Sequence, residues 1–304
     1  MTLFRTKAAH LLRWLFTLVL TLMLGLPVQA YHFPWDQGHD TTDWNDPPPP
    51  GPCEGSNCDP CNSTKSPVYI PTGHFIWSDT DIILRGRPEI RLTRSYNSQD
   101  PRDGLFGNGW TVGCEIGLYY NETDDGHQFI LRWPDGKRYV YTGEQDGSYT
   151  PPPGRFEQLV PQTDGTVHLI NLDSSRLEFA TNGKIAARID SNGNAIRYTY
   201  ATMTGLLDKI ADDNGRYLQF SYNSSGRVAT VTDHTGRSWS YTYDTDGNLT
   251  GVTNPLGGTH QYAYNAYQPS GDGHTYQHLT QVTDASGVVV TDVVYNGERV
   301  QSYT

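Results

Sequence analysis

The sequence has 304 residues and a formal net charge of −11. Its 31 glycines, 20 tyrosines and 19 prolines are typical of a turn-rich β chain, and they exclude a helical bundle or a bundle of membrane helices. The acidic balance repels phosphate backbones, and no basic stripe is present in the sequence, so nucleic-acid binding is disfavoured.

Residues 1–30 have the features of a secretory signal peptide. Basic residues come before a hydrophobic run from Trp14 to Leu26, and Val28 and Ala30 provide small side chains for cleavage after Ala30. A retained membrane anchor is the alternative, but this run is short for a span. We therefore expect an exported protein, secreted, periplasmic or on the cell surface, that is not an integral membrane protein after cleavage.

Residues 31–66 predict an extended, disordered linker. Four consecutive prolines and several Asp, Gly and Ser residues leave this segment without the material for a core. His32, Asp36, His39 and Asp40 could hold a metal ion, but a solvated tail is the favoured interpretation. We expect neither a metal nor a cofactor.

The chain has four cysteines, and all of them are candidate disulfide residues: Cys53, Cys58, Cys61 and Cys114. Their spacing superficially matches a plant-type [2Fe–2S] ligand set. An even number of cysteines in an exported, proline-rich segment indicates disulfides instead. Three pairings remain open. In one of them Cys58 pairs with Cys61, and Cys53 reaches Cys114 and ties the linker to the first β domain.

Residues 67–164 predict an N-terminal β domain. Asp-Gly pairs mark turns between short strands, at Asp103-Gly104, Asp125-Gly126, Asp135-Gly136 and Asp146-Gly147. The stretch FILRWPDGKRYVYT at 129–142 looks like a degenerate copy of the repeat described next. We expect this domain to cap or begin the repeat array and not to form an independent globule.

Residues 165–304 contain an internal repeat. Four glycines lie 22, 21 and 21 residues apart, and each precedes an Asp or Asn, a second glycine and a tyrosine at constant spacing. The defining residues are Gly183, Asp190, Gly193, Tyr200, Gly205, Asp212, Gly215, Tyr222, Gly226, Asp233, Gly236, Tyr243, Gly247, Asn254, Gly257 and Tyr264. A second aromatic residue comes two positions before each tyrosine. A fifth copy follows an insertion, and its Tyr295 comes one position late.

Each repeat predicts two short strands and two turns. Aromatic side chains at i and i+2 lie on the same side of a strand, and Asx with Gly supplies a turn with positive φ. One unit cannot bury enough surface to be stable alone, so units must stack, with their tyrosines in a continuous stripe. The predicted fold is an all-β repeat array of short antiparallel strands, preceded by the signal peptide and the linker. A nonrepeating sandwich is the less favoured alternative.

The phrase Y-x-Y-D-x-x-G-N-L-T-x-V at Tyr241 to Val252 resembles the tyrosine-aspartate (YD) repeat of the rearrangement-hotspot (Rhs) proteins nearly letter for letter. Residues 66–110 resemble the segment that opens the repeat region in bacterial members. The matching positions are Pro67, Val68, Thr72, Gly73, Arg94, Tyr96, Asn97, Ser98, Gly107, Gly109 and Trp110. His74 departs from the usual Asn. The resemblance implies a large hollow β shell wound from a spiral of strands, which encloses a C-terminal effector domain in toxin-associated members.

The search for a catalytic site finds no G-x-S-x-G, H-E-x-x-H or P-loop motif in the sequence. His260, His274 and His278 cluster around the insertion in the fifth copy, which makes that loop the candidate ligand loop. Family members that cut themselves use aspartates beyond the repeats, and nothing in this sequence matches that segment. We therefore expect no enzyme activity.

Two functions remain. The first is structural, as an exported part of an Rhs-type shell that presents or encloses another polypeptide, with a further repeat or effector polypeptide as partner. The alternative is an adhesive module that binds glycans through exposed repeat aromatics, which the resemblance also suggests. The four repeat tyrosines discriminate between them, because packed rings indicate structure and an exposed ladder indicates binding. We expect packing.

The final residues, VVYNGERVQSYT, predict the beginning of a sixth unit. We expect the chain to open a longer architecture, because repeat arrays normally end in an atypical capping unit. An uncovered sheet edge also invites pairing with another chain. The isolated chain is therefore expected to self-associate through its C-terminal edge.

Overall fold

A computed structural model of the chain describes residues 68–69, 73–123, 126–269 and 275–304. The chain divides into two units, and all of these residues belong to the second one, Thr41–Thr304. The predicted signal peptide and linker lie outside the described residues, as do Cys53, Cys58, Cys61 and His274.

The N-terminal region forms three small antiparallel sheets, with strand orders β1-β2-β3-β6, β4-β5 and β10-β9-β8-β7. A short 3₁₀ helix, Gly113–Glu115, separates β6 from β7. The strands are β1 (Val68–Tyr69), β2 (His74–Leu84), β3 (Ile90–Asn97), β4 (Asp103–Gly104), β5 (Gly107–Asn108), β6 (Trp110–Val112), β7 (Gly117–Thr123), β8 (Gly126–Arg132), β9 (Arg138–Gly143) and β10 (Tyr149–Thr150).

The repeats, together with one strand from residues 67–164, form one sheet of fourteen antiparallel strands, in which each strand pairs with the strands before and after it in sequence. The strands are β11 (Gln158–Pro161), β12 (Val167–Ile170), β13 (Arg176–Phe179), β14 (Ile185–Ile189), β15 (Ala195–Tyr200), β16 (Leu207–Asp212), β17 (Tyr217–Tyr222), β18 (Val228–Asp233), β19 (Ser238–Tyr243), β20 (Leu249–Thr253), β21 (Thr259–Tyr267), β22 (Tyr276–Thr283), β23 (Val289–Asn296) and β24 (Arg299–Tyr303). The predicted all-β array of short antiparallel strands is confirmed, and the structure is not a nonrepeating sandwich.

The Asx residue of each unit holds its turn together. The Asp190 carboxylate accepts hydrogen bonds from the backbone N–H groups of Asn192 and Asn194, both at 2.9 Å. The same i+2 and i+4 pattern recurs at Asp212, Asp233, Asn254 and Asp284. This turn chemistry lies within five residues, which is why the sequence alone indicates it.

A β-bulge stands opposite every repeat tyrosine. In the β15–β16 ladder Tyr200 pairs with Leu207, while the preceding residue Thr199 pairs with Lys209, so Asp208 is an extra residue. The same shift occurs opposite Phe179, Tyr222, Tyr243, Tyr264 and Tyr295. The residues that face the six aromatic rings, here called the bulge residues, are Ile185, Leu207, Val228, Leu249, Leu279 and Val300.

A further bulge explains why Tyr295 comes one position late. In the β22–β23 ladder Val282 pairs with Thr291 and Thr283 pairs with Val289, which leaves Val290 as an extra residue. The extra residue is absorbed locally in the ladder. The tyrosine therefore keeps its place opposite the bulge residue Val300.

Tyrosine hydroxyls connect four of the units to the one before. Four of the five hydroxyls donate to the carbonyl of the bulge residue that pairs with the preceding aromatic residue, whereas the Tyr264 hydroxyl accepts a hydrogen bond from Trp110. These bonds are Tyr200 to Ile185 (3.0 Å), Tyr222 to Leu207 (2.6 Å), Tyr243 to Val228 (2.8 Å) and Tyr295 to Leu279 (3.0 Å). The tyrosine rings are half-buried. Each repeat tyrosine lies close enough to a neighbouring one for their hydroxyl groups to interact electrostatically. The tyrosines form the expected packed stripe and not an exposed ladder.

A shared hydrophobic core joins the N-terminal region to the start of the long sheet. It combines β7–β9 with β11–β14, and its buried residues are Ile116, Leu118, Leu131, Trp133, Tyr141, Leu159, Val167, Leu169, Leu177, Phe179 and Ile185. The N-terminal region thus packs on the first repeats, as a cap would. It also extends much further along the sheet.

The bond from the Tyr222 hydroxyl gives the first prediction. Tyr222→Phe leaves the Leu207 carbonyl without this donor and should lower the free energy of unfolding by about 1–2 kcal/mol. Tyr217→Phe is the matched control on the same strand, because no hydrogen bond of the Tyr217 hydroxyl links it to another described residue. Urea unfolding followed by tryptophan fluorescence measures both variants. Equal stability of the two variants would contradict the role given to the hydroxyl bonds.

Candidate functional site

Residues 73–123, here called the pre-repeat segment, contact the long sheet along most of its length. The two ends of the segment contact opposite ends of the sheet, and the tip of the β2–β3 hairpin between them reaches back to Arg216. The contacts run from Gly73 with Val300, through Tyr96 with Leu279, Arg94 with Tyr262, Asn108 with Asn248 and Leu105 with Val228, to Leu118 with Gly183. The segment is therefore a lining of the repeats as well as a cap at their start.

The bulge residues give the pre-repeat segment its binding points. Val228 N–H donates to the Leu105 carbonyl at 2.9 Å. Leu279 N–H donates to the Tyr96 hydroxyl at 2.9 Å, and Val300 N–H donates to the Gly73 carbonyl. A bulge removes a backbone group from the ladder, and such a group must find another partner when it is buried. The pre-repeat segment supplies that partner at these three units.

Arg94 lies at the centre of the contact between the pre-repeat segment and the repeats. Its side chain is fully buried and makes two hydrogen bonds to the Asp81 carboxylate, at 2.6 and 2.8 Å. It also donates to the Tyr262 hydroxyl at 3.0 Å, so it links the pre-repeat segment to β21. Burial by itself would lower the pKa of Arg94, but the neighbouring carboxylate of Asp81 raises it well above the ordinary value. The guanidinium therefore remains charged inside the protein.

Aromatic rings from both parts of the chain surround this ion pair. The guanidinium lies 4.5 Å from the centre of the Trp110 ring, and Trp110 meets the Tyr262 ring edge to face at 5.2 Å. Phe106 meets the Tyr241 ring in the same way at 4.8 Å. The Tyr241 hydroxyl donates to Asp81 at 3.0 Å. We call Asp81, Arg94, Phe106, Trp110, Tyr241 and Tyr262 the Arg94 cluster.

Gly107 allows a close backbone approach between the segment and the repeats. Gly107 has φ +89°, and a Cβ atom there would lie 2.4 Å from the Gly247 carbonyl oxygen. Beside it, the Asn108 side-chain amide donates to the Asp246 carbonyl at 2.8 Å. Gly107 is thus required both by its backbone angle and by space.

These contacts give the Arg94 cluster a structural role. The charge of Arg94 is compensated by Asp81, and the tyrosine hydroxyls donate to carboxylates within the protein. Such a buried ion pair is destabilising unless its geometry and hydrogen bonds are nearly complete. The cluster therefore specifies how the two parts of the chain meet.

Several of these residues are among the positions that resemble the Rhs family, but the resemblance does not explain why those residue types are needed there. Arg94, Tyr96, Gly107 and Trp110 are all matching positions, and each one contacts the repeats. Sequence reasoning missed Asp81, because its partner Arg94 stands on another strand. Asp81 is also the extra residue of a β-bulge in the β2–β3 ladder, so the alternation of the strand does not indicate where its side chain lies.

The histidines of the candidate ligand loop lie apart along the same strand pair. His278 is buried on β22 opposite Asn265, whereas His260 is half-buried near the other end of β21. Five residues of extended strand separate His260 from Asn265, which is about 17 Å. Among the described residues, His, Cys, Asp and Glu side chains form no group of three that could hold a metal ion.

Cys114 has a half-buried free thiol, and burial raises its pKa. Its three candidate partners lie outside the described residues, so the disulfide pairing stays a prediction. None of the helices in the described part of the chain is long and apolar enough to span a membrane.

Comparison with known families agrees with the two-part architecture. A family model described as RHS Repeat matches residues 222–259, which contain the bulges at Val228 and Leu249. The chain contains an RHS repeat. A second model, a domain of unknown function (DUF6531), matches residues 65–141 of this RHS-repeat protein. The two matched regions correspond to the pre-repeat segment with its adjoining sheet and to the centre of the long sheet.

Curated relatives share part of this RHS-repeat protein. The tRNA nuclease WapA of Bacillus subtilis (strain 168) is 34% identical over 131 residues, which are 42% of this chain and 5% of the relative. The tRNA(Glu)-specific nuclease WapA of Bacillus subtilis subsp. natto matches with the same identity and coverage. The chain thus spans 5% of the length of these relatives.

Solved structures show a distant likeness. A crystal structure of TcdB2-TccC3 without its hypervariable C-terminal region has a TM-score of 0.32 and 12% identity, over 74% of this chain and 14% of that one. The Photorhabdus luminescens Tc holotoxin pore with a TccC3 mutation has a TM-score of 0.31 and 11% identity, with the same coverage.

Arg94→Lys should destabilise the protein strongly. Lysine keeps the charge but cannot make the paired hydrogen bonds to Asp81, so the buried Asp81 carboxylate would lack hydrogen-bond donors. We expect the free energy of unfolding to fall by at least about 2 kcal/mol. Arg91→Lys on the same strand is the control, because Arg91 and its partner Glu89 are both exposed. This control should change stability by less than about 0.5 kcal/mol. Chemical unfolding measures both, and a small effect of Arg94→Lys would refute the central place of the cluster.

Gly107→Ala tests the close backbone approach. The control is Gly147→Ala, at φ +86° in an open turn where an added Cβ meets no neighbouring atom. Both variants carry the strain of alanine at positive φ, about 1 kcal/mol, but only Gly107→Ala collides with the Gly247 carbonyl. We expect Gly107→Ala to be less stable than Gly147→Ala by about 2 kcal/mol in thermal or urea unfolding. If the two variants lose equal stability, the approach is looser than described.

Proposed function

We propose that this chain is a non-catalytic structural segment of an exported Rhs-type β shell, which encloses or presents another polypeptide. The observation that supports this most directly is the use of the repeat tyrosines. Four of their hydroxyls donate to backbone carbonyls of a neighbouring strand, and their rings pack in the sheet. Side chains that make such contacts stabilise the sheet, which in this proposal is the wall of the shell.

The lining by the pre-repeat segment supports the same role. Amides that the bulges leave unpaired need hydrogen-bond partners when they are buried. The pre-repeat segment provides hydrogen-bond acceptors at Leu105, Tyr96 and Gly73. A wall with its own lining can stay ordered while its other surfaces contact a second polypeptide.

The partner in this proposal is a further repeat or effector polypeptide, in the same chain or in another one. The curated relatives are named as nucleases, and this chain matches only 5% of their length. In the proposal, any such activity belongs to the enclosed or presented polypeptide and not to residues 68–304. Export rests on the signal peptide expected from residues 1–30.

Glycan binding through the repeat aromatics is the less favoured function. It requires at least three exposed rings in a row. Tyr200, Tyr222, Tyr243 and Tyr264 are all half-buried, and the Tyr264 hydroxyl accepts a hydrogen bond from Trp110 at 2.8 Å. No observation specifically favours this alternative.

Protease protection of the natural gene product tests the structural role. The protein is purified at its natural length with whatever polypeptide it holds, then digested at rising urea concentrations and examined by mass spectrometry. We expect a polypeptide outside residues 68–304 to resist digestion until the repeat sheet unfolds. Arg94→Lys should lower the urea concentration at which protection ends, and Arg91→Lys should not.

Two results would overturn the proposal. One is digestion of every other polypeptide while the repeat sheet is still folded. The other is glycan binding by the purified protein, on an array, that is lost in tyrosine variants, with no polypeptide held. The second result would establish the adhesive alternative.

A further inference from the structure

In three of the units, the residue just before the bulge residue covers the tyrosine ring of the next unit. Lys184, before Ile185, places its ammonium 4.9 Å from the centre of the Tyr200 ring. Arg227, before Val228, places its guanidinium 6.0 Å from the centre of the Tyr243 ring. His278 precedes Leu279 in the same way, and its ring lies 4.3 Å from Tyr295 with 22° between the planes. In these three units the position thus holds two basic side chains and one histidine, and in the other units it holds Leu206, Asn248 and Arg299.

The two basic side chains have acceptors, whereas the histidine does not. Lys184 donates to the Gly205 carbonyl at 2.5 Å, and Arg227 donates to the Asp103 carboxylate at 3.0 Å. His278 is 3% exposed, and its Nε2 atom has no hydrogen-bond partner among the described residues. A neutral imidazole can be buried here, because it packs on the Tyr295 ring as another aromatic ring would. A protonated one would bury a charge and an unpaired N–H.

Both faces of the His278 ring are covered by phenol rings. Tyr267 on β21 stacks on one face at 5.1 Å with 20° between the planes, and Tyr295 on β23 covers the other. From the pre-repeat segment, the Tyr96 hydroxyl donates to the Gln277 carbonyl and accepts from Leu279 N–H. These three phenols are the titratable groups that face His278 from β21, β23 and β3. Burial raises the pKa of Tyr96 and of Tyr295, so neither becomes charged below neutral pH.

The direction of the pH effect follows from this burial. Burial lowers the pKa of His278 from 6.5 to about 4, and no charged side chain of the described residues contributes to the shift. When the strands separate, the imidazole regains its ordinary pKa. The packed form is therefore fully favoured above about pH 6.5, and this preference is lost as the pH falls from there towards 4.

We propose that His278 is an acid-sensitive latch, whose protonation separates β22 from β21 and β23 and releases this end of the sheet from Tyr96 of the pre-repeat segment. The latch goes beyond the proposed structural role, because it gives the wall a place where it opens. The opening is confined to the last hairpins, because none of the other residues at this position is a histidine: Lys184, Leu206, Arg227, Asn248 and Arg299.

Hydrogen exchange measured by mass spectrometry on the full chain tests the latch. After correction for the intrinsic rates, the opening of β22 and β23 should increase roughly 30-fold between pH 7.5 and pH 5, as expected for a group that titrates near 4 when packed and near 6.5 when free. Strands β14 and β15 contain no histidine and should show no such change. Equal exchange of β22 and β23 at the two pH values would refute the proposal.

His278→Phe keeps a ring between Tyr267 and Tyr295 but cannot be protonated, so it should abolish the pH response. His260→Phe is the control on β21, at a half-buried position away from the stack, and it should leave the response intact. If His278→Phe does not fold, His278→Asn provides the neutral residue that stands at the equivalent position as Asn248. A pH response that persists in a folded His278 variant would show that another group is responsible.

Discussion

The structure depends on one recurring irregularity, the β-bulge opposite each repeat tyrosine. A regular antiparallel ladder would pair every backbone group within the sheet and leave nothing for other parts of the chain to bind. The extra residue turns one amide and one carbonyl of the bulge residue away from the ladder. At Leu279 the carbonyl is taken by Tyr295 of the next unit and the N–H by Tyr96 of the pre-repeat segment. The same irregularity therefore connects units to each other and the whole sheet to its lining.

The contacts of the pre-repeat segment with late repeats have consequences for folding. Tyr96 binds Gln277, 181 positions further along the chain, while Leu118 binds the much closer Gly183. Contacts at long sequence separation require closure of long loops and form slowly. The segment can complete its packing only when the late repeats exist, although it is made first. The buried Arg94 and Asp81 then specify the match, because an ion pair placed wrongly in a core is far more costly than misplaced apolar side chains.

The residue just before the bulge residue has different roles in different units of the sheet. Lys184 and Arg227 bring basic side chains with hydrogen-bond acceptors over tyrosine rings. His278 replaces them with a ring whose packing depends on its being neutral. A structural wall built from near-identical units can thus carry a local response in one unit without changing its architecture.

The sequence by itself determined the repeat period, the all-β class, the Asx turns and the packed tyrosine stripe, because each arises from chemistry within one unit of about 21 residues. The turn at Asp190 and the ring pair at Tyr241 and Tyr243 are examples that could be predicted without a structure. Only the tertiary structure decided why Arg94 and Gly107 matter, since their partners Tyr262 and Gly247 are remote in sequence. It also separated His260 from His278, which the sequence had placed together, because extended strands spread nearby residues over long distances. Which backbone groups a bulge leaves unpaired, and which distant side chain satisfies them, depends on register and on the return of the chain across the sheet, and no local pattern encodes either.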